Sequence, residues 1–331
     1  MIVMVLLAMA ACKKSKTPAP KNNTEDNADV YIAGFTSPVN PSYYQATYWK
    51  NGVGVVLSPN SAGMAYGIAV QNGDVYVSGA IIVNGFFVAT YWKNGVETKL
   101  GDGTSHSYAR GIAVQGSDIY VAGYIQINYV DEAALWKNGT LTMLSNTFSN
   151  ASGIAVQGND VYVAGITSAY NGPTYATYWK NGTINTLTEN SSSETAATGI
   201  FVQGSDVYVS GADVTQAAYW KNGVETSPLT SGFPASTANA ITVNGNDVYL
   251  AGFINVTSSA NGSAAAYWKN GVETNLTAGT TRDAAYGITI NGNDVYTAGN
   301  VDNNAAYWKN KVVTQLSSSN SVAYAIAVVP K

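Results

Sequence analysis

The residues best suited to catalysis are a histidine, a tyrosine and an arginine that lie close together in the chain. His106 is the only histidine, and Tyr108 and Arg110 follow it within four positions. Histidine can act as a general base near neutral pH, so this group raises β-elimination or hydrolysis of a polysaccharide as a hypothesis. The alternative interpretation is a solvated loop histidine with no role in catalysis. We favour the alternative and assign no catalytic residue.

A second group of residues is suited to binding rather than to chemistry. Tyr43, Tyr44, Phe86 and Phe87 fall in stretches that vary between otherwise similar segments and that are rich in Asn, Ser and Thr. Aromatic faces beside neutral hydrogen-bonding groups suit sugar rings and peptides. We therefore predict that these four residues bind ligand. The competing interpretation is that such rings pack the loops onto the body of the protein.

A third candidate site comes from one variable position inside an otherwise constant segment. The residue before each Gly-Ile, or its equivalent, changes from one copy of the segment to the next, and the seven positions are Tyr66, Arg110, Ser152, Thr198, Asn239, Tyr286 and Tyr324. If these segments line a central channel, the seven side chains form a ring at its mouth. We predict ligand contacts from Tyr66, Arg110, Asn239, Tyr286 and Tyr324.

The elements that would position these residues are repeats of a little over forty residues. Each repeat contains one of the seven tryptophans, which are Trp49, Trp92, Trp136, Trp179, Trp220, Trp268 and Trp308. Around each tryptophan the chain offers four strand-like segments of the types GIAVQ, DVYVAG, ATYWK and VETKL, and Asn-Gly turns join several of them. Repeats of this length and content are typical of a β-propeller.

The order of the segments predicts how the propeller closes. The first repeat begins at Asp29 with no GIAVQ segment before it, and an unpaired copy occurs at residues 324–329. A closed ring hides the strand edges that an open array would expose. We therefore predict an all-β, seven-bladed propeller of four-stranded antiparallel blades over residues 28–331, in which the C-terminal strand completes the first blade.

Charge and composition exclude several classes of function. The net charge is −4, and only 11% of residues are charged, which does not fit a nucleic-acid-binding protein. Seven Lys residues follow the tryptophans and seven Asp residues open the DVY segments, so we interpret both sets as architecture. No metal-binding motif occurs. The sequence predicts no cofactor and no metal, and we expect a monomer.

The N-terminal residues indicate export and lipidation. Residues 2–11 form an apolar run too short to span a bilayer, and it ends in small residues before Cys12, the only cysteine. The segment Met9-Ala10-Ala11-Cys12 resembles the lipobox of bacterial lipoproteins, a resemblance that implies a lipid on Cys12. We expect a signal peptide at residues 1–12, a flexible tether at 13–27 and a lipid-anchored protein of the bacterial cell envelope, at the outer membrane.

The repeats themselves resemble known families. The GIAVQ-GNDVYVAG hairpin is similar to NHL-like and SBBP-type propeller repeats, and the AxYWKNG run resembles the extracellular HAF-type repeats of secreted bacterial proteins. The resemblance implies the propeller fold and is a poor guide to function. We expect a surface-tethered, non-catalytic propeller that binds glycan or protein. The alternative is a polysaccharide-active enzyme, a lyase or glycoside hydrolase, with its site at the channel mouth.

Overall fold

The computed structural model describes residues 27–38, 43–168, 172–188, 194–226, 235–256, 262–318 and 320–331. Within these ranges the chain forms 28 strands in seven separate four-stranded antiparallel sheets. The sheets are the blades of a propeller, and the predicted fold class is confirmed. The signal peptide, Cys12 and all but the last residue of the predicted tether lie outside the described residues.

The first four blades have the following strands, given from the chain's N-terminal side. Blade 1 contains β1 (Ala28–Thr36), β2 (Gln45–Lys50) and β3 (Val53–Val56). Blade 2 contains β4 (Gly63–Gln71), β5 (Asp74–Val83), β6 (Phe86–Lys93) and β7 (Val96–Lys99). Blade 3 contains β8 (Ser107–Gln115), β9 (Asp118–Ile127), β10 (Val130–Lys137) and β11 (Thr140–Met143). Blade 4 contains β12 (Ser149–Gln157), β13 (Asp160–Ser168), β14 (Thr174–Lys180) and β15 (Thr183–Thr186).

The remaining blades follow the same plan. Blade 5 contains β16 (Thr195–Gln203), β17 (Asp206–Asp213), β18 (Gln216–Lys221) and β19 (Val224–Thr226). Blade 6 contains β20 (Ser236–Asn244), β21 (Asp247–Asn255), β22 (Ser263–Lys269) and β23 (Val272–Asn275). Blade 7 contains β24 (Ala284–Asn291), β25 (Asp294–Val301), β26 (Asn304–Lys309) and β27 (Val312–Gln315). The last strand, β28 (Ser321–Pro330), joins blade 1.

The closure of the ring is as predicted. Strand β28 pairs antiparallel with β1, with Ile32 opposite Ile326, and the Lys331 amide donates a hydrogen bond to the Asn27 carbonyl. Strand β28 also contacts the inner strands β24 and β4 of the two neighbouring blades. The C-terminal strand is therefore the inner strand of blade 1. It completes the four-stranded sheet of that blade and so closes the ring of seven blades.

Tryptophan holds each blade against the one before it. All seven tryptophans are at most 2% exposed. Trp92 of β6, for example, lies in a cluster with Tyr31, Ala33 and Ala46 of blade 1. The same type of cluster joins every other pair of neighbouring blades. Since replacing a buried tryptophan by alanine typically costs about 3–5 kcal/mol, these contacts explain why one tryptophan recurs in every repeat.

We define the lower face as the end of the blades that carries the Asn-Gly turns. The same polar network recurs on this face in every blade. In blade 3 the Lys137 ammonium lies 2.8 Å from the Asp118 carboxylate and 5.1 Å from the centre of the Tyr120 ring. Asn138 donates from its side-chain amide to Asp118, and its side-chain oxygen accepts from the Ile119 amide. In the other blades the corresponding Lys–Asp distances are 2.8 to 3.3 Å. The repeated charges are thus paired with one another.

Candidate ligand-binding site

A β-bulge in each inner strand produces the ring of variable residues. In blade 2, Ala65 pairs with Gly79 and Gly67 pairs with Ser78, so Tyr66 has no partner in the ladder. The same register shift occurs in all seven blades. The unpaired residues are the seven predicted ones: Tyr66, Arg110, Ser152, Thr198, Asn239, Tyr286 and Tyr324. A bulge re-aims a side chain, and here it turns one residue per blade toward the central channel.

The bulge explains the glycine in every DVYVAG segment. At Gly79 an added Cβ would overlap the carbonyl oxygen of Met64, which the bulged strand brings against β5. The equivalent glycines face the same obstruction from the equivalent carbonyl, and they are Gly34, Gly123, Gly165, Gly211, Gly252 and Gly299. Only a residue without a Cβ fits beside this carbonyl, so the glycine and the bulge require each other.

The ring, which we define as these seven bulge residues, separates two cavities along the channel. The upper cavity has a volume of about 470 Å³ and opens on the face that carries the variable loops. The lower cavity, of about 220 Å³, is lined by the Gly-Ile or Ala-Ile pairs that follow each bulge. All seven ring residues border both cavities. A ligand in the upper cavity would therefore rest on the ring.

One side of the ring is aromatic and carries the only ring charge. The Tyr286 and Tyr324 ring centres are 5.3 Å apart, and those of Tyr324 and Tyr66 are 5.4 Å apart. The guanidinium carbon of Arg110 lies 4.3 Å from the centre of the Tyr66 ring. Burial raises the pKa of all three tyrosines, so each keeps its phenolic proton at neutral pH. Blades 7, 1 and 2 thus present aromatic faces and phenolic hydroxyls, and blade 3 presents the guanidinium of Arg110.

The other side of the ring carries small, polar side chains. Blades 4, 5 and 6 contribute Ser152, Thr198 and Asn239. The Thr198 hydroxyl donates to the Ala238 carbonyl at 2.6 Å, and the Asn239 side-chain amide donates to the Ala285 carbonyl at 2.9 Å. These bonds hold both side chains against the next blade. Their oxygen atoms can accept further hydrogen bonds, so this side offers hydrogen-bonding groups without charge.

Three of the four predicted aromatic residues of the loops line a separate cavity between blades 1 and 2, away from the ring. This cavity has a volume of about 430 Å³ and is lined in part by Tyr43, Tyr44, Phe87 and Met64. The Tyr43 hydroxyl donates to the Pro59 carbonyl at 3.0 Å. Tyr44 is 40% exposed. Phe86 does not line this cavity. The four residues therefore do not share one site with the ring.

Contacts between aromatic side chains nevertheless connect this outer cavity with the ring of bulge residues. Tyr44 packs edge-on against Phe35 at 4.7 Å between ring centres, and Phe35 lies 6.0 Å from Tyr324. On the blade 3 side, Phe87 lies 5.2 Å from Tyr108, which stacks on Tyr124. Aromatic side chains thus run from the ring to the outer part of the variable-loop face.

The structure gives His106 a packing role. Its Nδ1 accepts a hydrogen bond of 3.1 Å from the Phe87 amide, and its ring packs against Phe86 and Phe87. His106 does not line the upper cavity. Four residues of extended strand, about 13 Å, separate it from Arg110. The histidine and the arginine therefore do not form the catalytic pair raised by their spacing.

Two polar residues that line the upper cavity were not among the predicted residues of the ring. Tyr124 lines the upper cavity, and its hydroxyl accepts a 3.5 Å hydrogen bond from Arg110 Nη2. Asn150 lines the same cavity. Tyr124 follows the glycine opposite the bulge and pairs with Tyr108, two residues before Arg110, so it lies on the upper-cavity side of the ring. The sequence signal that could have identified Tyr124 is its position directly after the glycine of the DVYVAG segment.

The described part of the chain contains no cluster of three or more His, Cys, Asp or Glu side chains suited to holding a metal ion. The same part also contains no helix long and apolar enough to cross a membrane.

Comparisons with known proteins reveal the fold and little else. No protein-family model matches the chain, and no curated protein matches it. The structure is similar to that of TolB from Acinetobacter baumannii, with 14% identity, a TM-score of 0.47, and coverage of 91% of this chain and 67% of that one. It is also similar to a Pyrococcus horikoshii acylaminoacyl peptidase, with 11% identity, a TM-score of 0.53, and coverage of 88% of this chain and 51% of that one. The chain therefore spans about half the length of that peptidase.

Proposed function

We propose that this protein is a non-catalytic propeller that binds a glycan in the upper cavity, against the ring. One observation carries the proposal. Blades that repeat the same turns, tryptophan and ion pair differ at the bulge residue, and that residue borders a cavity of about 470 Å³. A residue that is needed only for the propeller fold can be the same in every blade. Residues that contact an asymmetric ligand must differ between blades.

The two sides of the ring favour a sugar over a peptide. The faces of Tyr66, Tyr286 and Tyr324 can stack on the apolar face of a pyranose ring. Ser152, Thr198 and Asn239 lie on the other side of the ring and can hydrogen-bond its hydroxyl groups. A protein ligand remains the competing candidate, and it would use the aromatic surface that extends to Tyr44 and Phe87.

The envelope location and the lipid anchor belong to the same proposal, and they rest on the sequence. The apolar run, the lipobox-like segment and the polar residues that follow would place the propeller at the outer membrane, tethered through Cys12. Cys12→Ser should move the full-length protein from the membrane fraction to the soluble fraction. Unchanged fractionation of this variant would contradict lipid anchoring.

A glycan array tests the binding function. We expect a soluble chain beginning at Lys21 to bind a defined subset of glycans, and the double variant Tyr66→Ala, Tyr324→Ala to lose that binding. A stacking aromatic is worth about 0.5–1.5 kcal/mol beyond the area it buries, so two of them account for a loss of about 5- to 150-fold. Thermal melting of the variant checks that the fold survives.

Two further variants on the same array separate the ring from the rest of the face. Tyr129→Ala removes a tyrosine that is 95% exposed at the tip of the β9–β10 hairpin, and it should bind as the wild type does. Combined alanine substitutions at Tyr43, Tyr44, Phe86 and Phe87 reveal whether the outer cavity contributes. Absence of binding to any glycan, or full binding by the ring variant, would contradict the proposal. Binding only to peptides would make protein the ligand.

A further inference from the structure

Arg110 is the one charged side chain among the described residues that line the upper cavity. Its guanidinium lies within 4.3 to 5.7 Å of the ring centres of Tyr66, Tyr108 and Tyr124. Its one hydrogen bond within the described structure is the 3.5 Å contact to the Tyr124 hydroxyl. The nearby Asp131 carboxylate accepts from the Gln126 side chain and does not line the cavity. Among the described residues, the half-buried positive charge of Arg110 therefore has no anionic partner.

The geometry leaves most of the guanidinium donors available. The guanidinium carbon lies over the Tyr66 ring, 4.3 Å from its centre, and the five N–H bonds of the group lie in its plane and point outward from its edge. One of these donors reaches Tyr124. The edge of a guanidinium matches the two oxygens of a carboxylate in a bidentate pair. Because a half-buried cation gains most from a charged acceptor, the site favours a carboxylate over a neutral hydroxyl.

We propose that the ring recognises a hexuronate unit of an acidic glycan, an inference that rests on the proposed function. The carboxylate of the sugar pairs with Arg110, its ring stacks on the tyrosines beside Arg110, and its hydroxyl groups reach the polar side formed by Ser152, Thr198 and Asn239. The ring has a single arginine and the chain has a net charge of −4, which fits one carboxylate at the ring and does not fit a polyanion such as nucleic acid.

Calorimetric titration with three probes tests the inference. The probes are a galacturonate trisaccharide, the neutral galactose trisaccharide of the same linkage, and a sulfated galactose trisaccharide. We expect the wild type to bind the galacturonate probe about 10- to 100-fold more tightly than the neutral one, since a hydrogen-bonded charge pair differs from a neutral contact by about this factor. The preference should decrease as salt is added.

Variants at Arg110 assign the preference to one side chain. Arg110→Gln should remove the preference, so that this variant binds the galacturonate and the neutral probe with about equal affinity. Arg110→Lys keeps the charge but loses the planar edge and should recover only part of the preference. Arg282→Gln removes an arginine that does not line the cavity and should bind as the wild type does. Melting curves confirm that each variant is folded.

The outcomes separate this inference from the proposed function. Equal affinity of the wild type for acidic and neutral probes overturns the hexuronate inference, and so does a preference that survives Arg110→Gln. Tighter binding of the sulfated probe overturns the assignment of a carboxylate. If neutral probes bind and Tyr66→Ala with Tyr324→Ala abolishes that binding, the proposed function stands while the hexuronate inference fails. If no glycan binds the wild type in either experiment, both fail.

Discussion

The same seven blades form the lower face and the ring, yet the polar network of the lower face is the same from blade to blade and the residues of the ring differ. On the lower face each blade pairs one Lys with one Asp beside a Tyr and an Asn. At the ring the blades present tyrosine three times and arginine, serine, threonine and asparagine once each. Adjacent blades need the same contacts all around a ring, whereas a ligand without seven-fold symmetry needs different ones. The comparison therefore separates residues that close the propeller from residues that can select a ligand.

Strand β28 serves both regions, so its loss should have the largest effect. It is the inner strand of blade 1, it carries Tyr324 of the ring, and the Lys331 ammonium lies 3.8 Å from Asp29 on the lower face. Deleting residues 323–331 removes the ladder to β1 and exposes the core around Ile326, which is 8% exposed. Buried side chains of this size contribute about 1.5–3 kcal/mol each, and whole domains have about 5–15 kcal/mol. We expect an unfolded or aggregated protein.

Circular dichroism and size-exclusion chromatography measure this effect. The matched control deletes Lys331 alone, which removes one backbone hydrogen bond and one weak ion pair and should melt within a few degrees of the full chain. If the longer deletion melts like the control, β28 does not close the ring.

A glycine substitution compares the bulge with the turns of the lower face. Gly79→Ala places a Cβ against the Met64 carbonyl, and the bulged backbone must move to admit it. We expect a loss of about 3 kcal/mol in the free energy of unfolding, with weaker glycan binding because Tyr66 shifts. Gly95→Ala, in a lower-face turn with a φ of 80° and no atom within 4 Å, should cost only about 1–2 kcal/mol and leave binding unchanged. Urea denaturation measures both. Equal losses would contradict the role of the bulge.

The smallest expected effect is the pH dependence of the lower-face network. Hydrogen bonds from Lys137 and Asn138 lower the pKa of Asp118, and the equivalent aspartates are shifted in the same direction. Because the folded pKa lies below the unfolded value near 3.8, the stabilisation is present above about pH 4 and is lost as the pH falls through the folded pKa. These carboxylates are solvent-accessible, so salt should weaken the effect.

Melting curves from pH 6 to pH 2.5, at low and high salt, measure this dependence. We expect the melting temperature to fall below pH 4 and the fall to be smaller in high salt. A melting temperature that does not change with pH over this range would show that the network contributes nothing to stability.

The sequence was sufficient for the architecture because the architecture depends on residues that recur. Tryptophan, Asn-Gly and DVYVAG each have one local physical role, and their spacing revealed the blades and the unpaired segment at residues 324–329. The ring positions could be predicted for the same reason, since a variable residue stands out within a constant segment. What the repeats did not reveal was the bulge that turns these residues inward, because a register shift depends on the pairing of two strands.

The contacts that the ring residues make were harder to predict than which residues form the ring. Arg110 lies over the ring of Tyr66 from the preceding blade, and its partner Tyr124 comes from a neighbouring strand of its own blade. These contacts depend on side-chain directions that the order of residues does not define. The spacing of His106 and Arg110 was misleading for a related reason, since the chain between them is extended and His106 packs on the hairpin of blade 2. Three of the four outer aromatic residues, Tyr43, Tyr44 and Phe87, similarly proved to line a different cavity.

Hydrogen–deuterium exchange with the glycan that binds most tightly on the array tests the central claim most directly. That claim is that ligand contacts the bulges and leaves the repeated lower face untouched. We predict that bound glycan slows exchange in the inner strands around residues 63–67, 107–111 and 321–325, and leaves the Asn-Gly turns at residues 51–52, 94–95 and 138–139 unchanged. Protection at those turns, with none in the inner strands, would contradict the account.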